Sequence, residues 1–83
     1  MSIADQLREI ALAEGPERKD LADKFRESIN GHREQLILEK CVESAEHGQL
    51  NVMLGRKTLP PAELKREGLK FTLFWSAVFC CWD

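Results

Sequence analysis

Two histidines, three cysteines, a carboxylate-rich helical stretch and one basic cluster are the groups in this chain that could do chemistry. His32 and His47 stand fifteen positions apart on one helical segment, which separates them by about 22 Å at 1.5 Å per residue if the helix is continuous. They therefore do not share a metal ion, and neither adjoins a Ser or Cys motif of an activated nucleophile. His47, just before Gly48, reads as a helix C-terminal residue that complements the backbone dipole. Cys41, Cys80 and Cys81 form neither an even disulfide framework nor a CxxC pair. On a strand, adjacent Cys80 and Cys81 point to opposite faces, so a mutual disulfide is strained and a shared metal site awkward. Structural thiols in a reducing intracellular compartment are the expectation.

Glu34, Glu39, Glu43 and Glu46 do acid–base chemistry only where burial separates their pKa values, and their helical setting points to solvent instead. Glu39 and Glu43 are a like-charged i,i+4 pair, better explained by a basic neighbour than by catalysis. Arg56, Lys57, Lys65, Arg66 and Lys70 make the one basic cluster, with Phe71 and Phe74 near enough in sequence to stack a base. No phosphate-cradling GxxxxGK[ST] or GxGxxG run is present. The chemistry-bearing residues thus point away from an enzyme and require no cofactor or metal.

The elements that hold these groups follow from patterning. The 83 residues form a single domain, helical over 1–48 and strand–helix–strand over 49–83. A chain of this size buries only about 60% of its unfolded surface, so docking or self-assembly is a natural source of further stability. The formal charge of −2 is unevenly spread. Eleven acidic and seven basic residues lie between Met1 and His47, against three and five from Gly48 onward. Without an overall basic surface, nucleic-acid binding is the secondary reading. The opening Met-Ser-Ile-Ala-Asp lacks the basic and apolar regions of a signal peptide.

Ser2 is positioned to cap a first helix over residues 2–14, with Ile3, Leu7, Ile10 and Ala11 at helical spacing and Gly15-Pro16 as its stop. Leu21, Phe25 and Ile29 continue as a second helical stripe, which Asn30-Gly31 breaks or kinks. Residues 32–47 then place Leu36, Ile37, Cys41, Val42 and Ala45 on an apolar face that ends at Gly48. Leu50, Val52 and Leu54 alternate as the inward face of a short strand. Pro61 opens a compact helix with acidic Glu63 near its start, Lys65 and Arg66 near its end and Gly68 as its cap. From Leu69 onward Leu69, Phe71, Leu73 and Trp75 occupy one face of a strand expected to be largely buried, and Val78, Cys80 and Trp82 form another alternating set. A hairpin bent around Ser76-Ala77 and a single long or bulged strand both accommodate that pattern. At its greasiest, the tail is still too short for the roughly 20 apolar residues of a membrane span.

Ala45-Glu-His-Gly48 before Leu50-Asn-Val-Met-Leu54, Leu64-Lys-Arg-Glu-Gly68-Leu-Lys-Phe71 and the closing Cys81-Trp82 together resemble small uncharacterised α+β proteins of tailed phages and large DNA viruses. The resemblance covers about the second half of the chain. Asn30-Gly31 and the Phe79-Cys80-Cys81 run depart from the pattern. It implies a viral origin and a virion-associated or host-modulating role in the virion or host cytoplasm, and it assigns no active residues.

The expected architecture is α+β, with N-terminal helices packed on a small, mainly antiparallel sheet. Its core should use Leu36, Cys41, Val42, Val52, Leu64, Phe71, Leu73 and Trp82. The expected function is non-enzymatic protein–protein interaction, with a protein partner or a second copy docking on the exposed face of the C-terminal sheet or on the acidic helices; Phe74, Trp75 and Phe79 are the interface candidates, because apolar residues on both strand faces need cover on both sides. The alternative is a nucleic-acid-binding regulator that uses the basic 55–70 segment.

Overall fold

A computed structural model describes residues 2–55 and 60–83. In chain order the elements are α1 (Ile3–Leu12), α2 (Pro16–Ile29), α3 (Gln35–Glu46), β1 (Asn51–Gly55), α4 (Ala62–Arg66), β2 (Lys70–Leu73) and β3 (Ala77–Cys81). The three strands form one antiparallel sheet in the order β1-β3-β2, and the three long helices lie N-terminal to it. The architecture is therefore α+β, with the helices supplying one side of the core.

Local chemistry accounts for most boundaries. The Ser2 hydroxyl accepts the Asp5 N–H at 3.2 Å, which satisfies one orphan donor of the first turn of α1. The two donors beside it are met from the far end of the chain: Ile3 N–H reaches the Glu67 carboxylate at 3.1 Å and Ala4 N–H reaches the Glu67 carbonyl at 3.0 Å. This close approach explains Gly68, whose φ is +89° and where an added Cβ would meet the Ala4 Cβ at 3.0 Å.

Asn30-Gly31 does end a helix. α3 starts at Gln35 rather than His32, because His32 is used in the connection: its N–H donates to Ile29 O at 2.9 Å and its Nδ1 accepts the Glu34 N–H at 2.9 Å. That bond makes Nδ1 an acceptor and leaves Nε2 directed at the Glu63 carboxylate, 3.6 Å away on α4. An ion pair between Arg26 and Glu46 ties α2 to α3.

The core joins Leu7 and Ile10 of α1, Phe25 and Ile29 of α2, Leu38, Cys41, Val42 and Ala45 of α3, Leu64 of α4, and Leu54, Val78, Cys80 and Trp82 of the sheet. Four expected core members are buried: Cys41, Val42, Leu64 and Trp82. Val52 and Phe71 are half-buried against it. Leu36 is not a core residue. It is 80% exposed, because the helical phase set by Cys41, Val42 and Ala45 runs through Leu38, three, four and seven positions earlier. Leu73 is also outside the core at 69% exposed, although its register partners Val78 and, beyond it, Leu54 are buried.

The C-terminal pattern resolves as a hairpin. Its two-residue tip is Trp75-Ser76 rather than Ser76-Ala77, since Leu73 pairs with Val78 and Phe74 N–H donates to Ala77 O at 2.8 Å. No non-glycine residue described has a positive φ, so the turn is made without the left-handed conformations that usually favour a tight hairpin. β2 is correspondingly exposed rather than largely buried, with only Phe71 partly covered.

Candidate interaction surface

Strand register places two sets of side chains on opposite faces of the sheet. The rows Leu54–Val78–Leu73 and Val52–Cys80–Phe71 look toward the helices, while Met53–Phe79–Thr72 and Asn51–Cys81–Lys70 look away. On this outer face Met53, Thr72, Asn51 and Lys70 are exposed, and Phe79 and Cys81 are half-buried. Phe74, next to the turn, leans over Phe79 edge-to-face, with ring centroids 6.1 Å apart and planes at 88°. That arrangement suits aromatic quadrupoles and holds both rings in a fixed orientation. At 56% exposure Phe74 still presents much of its ring to solvent.

The structure thus brings two of the three expected interface residues into contact. Trp75 is at the tip of the hairpin, where it is 89% exposed. Met53 belongs to the same apolar face and was missed in the sequence, although alternation along β1 opposes it to the inward Val52 and Leu54. A concavity of about 610 Å³ follows α3, with Leu36, Ile37 and Leu54 among its lining residues and Glu39 and Glu43 beside them. Both of these carboxylates are exposed, and Gln35 Nε2 donates to Glu39 at 3.3 Å.

In the alternative, basic reading, Lys65, Arg66 and Lys70 are exposed. Lys65 and Arg66 occupy the last turn of α4, where they oppose its negative end. Arg56 and Lys57 lie outside the described residues. His47 fits its expected capping role: it is the C-cap of α3 and its Nδ1 lies 2.8 Å from the Glu43 carbonyl, to which it must donate. Among the described residues, no group of three or more His, Cys, Asp or Glu converges to hold a metal ion, and no helix is long and apolar enough to cross a membrane.

The cysteines divide as strand alternation requires, Cys80 inward and Cys81 outward. The neighbouring Cys80 thiol, together with burial, pushes the Cys41 pKa up, while Cys41 pulls that of Cys80 down; Cys80 is kept from reagents by its complete burial, as Cys41 is. Partial burial, reinforced by the Asp83 carboxylate, raises the Cys81 pKa as well. Since the thiolate is the nucleophile, a raised pKa leaves less of it at neutral pH. We expect a chromogenic aromatic disulfide to titrate one thiol in the native protein, slowly at pH 7 and faster as pH rises, and all three in guanidinium. Native-state labelling that maps to Cys41 or Cys80 would contradict this assignment.

No family model, curated protein or solved structure matches this chain.

Proposed function

We propose that this protein is a small non-enzymatic protein–protein interaction module that docks through the outer face of its sheet. The observation that carries this reading is the uncovered apolar face of Met53, Phe79 and Phe74, oriented by an aromatic pair on the side of the sheet opposite the helices. Side chains that serve only the monomer's core would be buried by it, whereas fixed aromatic rings open to solvent are typical anchors at interfaces. We read its setting as phage or viral, virion-associated or host-directed, on the motif resemblance in the second half of the chain alone.

The test is affinity capture from infected or producing cells with wild-type protein and with Phe74→Ser/Phe79→Ser, after circular dichroism has shown that the variant is folded. A protein retained by the wild type and lost by the variant supports the proposal. Equal retention by both overturns it. Salt-sensitive binding to a DNA or RNA oligonucleotide that falls on Lys65→Ala/Arg66→Ala, with no protein retained, would replace it with the nucleic-acid reading.

A further inference from the structure

We propose that two copies of this chain pair through the edge of β2 that no other described strand covers, antiparallel about a two-fold axis at Thr72, so that two three-stranded sheets become one of six strands. The inference rests on the interaction reading above and names a second copy as one occupant of that region.

The edge is identified by hydrogen-bond parity. Phe74 N–H donates to Ala77 O, so Phe74, Thr72 and Lys70 direct their backbone groups toward β3, and Phe71 and Leu73 direct theirs away. β2 is the outer strand on that side of the sheet. The other edge differs. Asn51, which faces outward from β1, has its carbonyl taken by the Ser44 hydroxyl of α3 at 2.6 Å. β2 has no proline or bulge, so its protection against edge pairing is limited to its four-residue length and to Lys70 at its start.

The register follows from which groups are available. Pairing Phe71 with Leu73 of the second copy, and Leu73 with its Phe71, uses every outward group of β2 and forms four backbone hydrogen bonds. Centring the pair on Phe71 would need Leu69, whose N–H is already given to Leu64 O at 3.2 Å. Centring it on Leu73 would set Phe71 against the hairpin tip. With the axis at Thr72, Lys70 faces the Phe74 ring of the second copy instead of another lysine, a favourable cation–aromatic juxtaposition. On the helix side each Leu73 gains a phenylalanine neighbour. This accounts for the anomaly of Leu73, an inward-facing residue that is 69% exposed in one copy. A four-residue ladder is small beside the 1,200–2,000 Å² or so of a standard interface, so the dimer forms reversibly with concentration.

Sedimentation equilibrium of the full chain from micromolar to millimolar concentration tests this. The wild type should pass from monomer to dimer. Thr72→Lys and Thr72→Glu, each of which sets like charges against each other across the axis, should raise the dissociation constant at least tenfold while leaving circular dichroism unchanged. An equimolar mixture of the two should dimerise again. Phe79→Ser, on the central strand, should leave dimerisation intact while removing the outer docking face. A wild type that is monomeric throughout, or a dimer insensitive to both Thr72 variants, overturns the pairing. Loss of captured protein on Phe74→Ser/Phe79→Ser would then still uphold the docking face by itself.

Discussion

Replacing Arg18 by methionine is expected to lower the free energy of unfolding by about 2 kcal/mol, from the loss of charge-assisted bonds to backbone carbonyls. Arg18 lies in the first turn of α2, and its guanidinium closes the ends of two other helices. Nη2 donates to Ala11 O at 2.9 Å, Nε to Ile10 O at 3.2 Å and Nη1 to Glu46 O at 3.4 Å. Neither α1 nor α3 has a basic residue in its own last turn, so one borrowed cation serves both negative ends. Gly48, at φ +78°, lets the chain pass beside it: a Cβ there would sit 3.4 Å from Nη2. Because the side chain is only half-buried, water replaces part of what is lost, which keeps the cost below the sum of three such bonds. For a domain of this size, 2 kcal/mol corresponds to a fall of roughly 10 °C in Tm. Lysine should recover little, since an ammonium cannot present a planar fork to three carbonyls at once. Urea and thermal denaturation followed by circular dichroism measure the effect. A loss under about 0.5 kcal/mol, the scatter of ordinary surface substitutions, would show that the fork is dispensable.

Arg18 also shows where sequence patterning stops. Its capping role depends on α1 and α3 ending at the same place in space, and no local signal encodes that meeting. Signals confined to a few residues fared better: Ser2 as a cap, Asn30-Gly31 as a break and Pro61 at the start of the short helix are all features of the fold, whereas Gly15-Pro16 opens α2 and α1 stops earlier, at Leu12 with Ala13 as its cap. Leu36, Ile37 and Leu38 form a continuous apolar run, so the choice of Leu38 rests on phase relative to Cys41, Val42 and Ala45. The spacing itself contains that information. Leu73 is a different case. Alternation correctly gives its face, but how far the helix layer extends over that face is a tertiary property. The aromatic pair of Phe74 and Phe79 was foreseeable as two candidate interface residues, while their contact depended on the hairpin bending at Trp75-Ser76.

Trp82→Ala is expected to cost about 3–5 kcal/mol, the usual range for emptying a buried aromatic site. The whole stability of a domain this long is of order 4–12 kcal/mol, so the alanine variant should be partly unfolded at 37 °C. Trp82 is the largest fully buried side chain, and its backbone fastens the sheet to the helices. Its N–H donates to Leu50 O at 3.0 Å, one step beyond the β1–β3 register, and its carbonyl accepts Arg8 Nε of α1 at 3.0 Å. Arg8 is in turn held by Asp5 at 2.8 Å. Substitution leaves those backbone bonds available, so the loss measures the ring. Phenylalanine separates two opposing contributions. It gives up part of the packed volume, yet it removes an indole N–H that meets no acceptor among the described residues. Burying such a donor costs about 1–3 kcal/mol, comparable to the packing lost with the smaller ring. Trp82→Phe should therefore stay within about 1 kcal/mol of the wild type, while Trp82→Ala does not. Urea titrations of both variants, followed at 222 nm, decide the matter: a phenylalanine variant as unstable as the alanine one would mean that the indole N–H is donating a hydrogen bond in the folded protein.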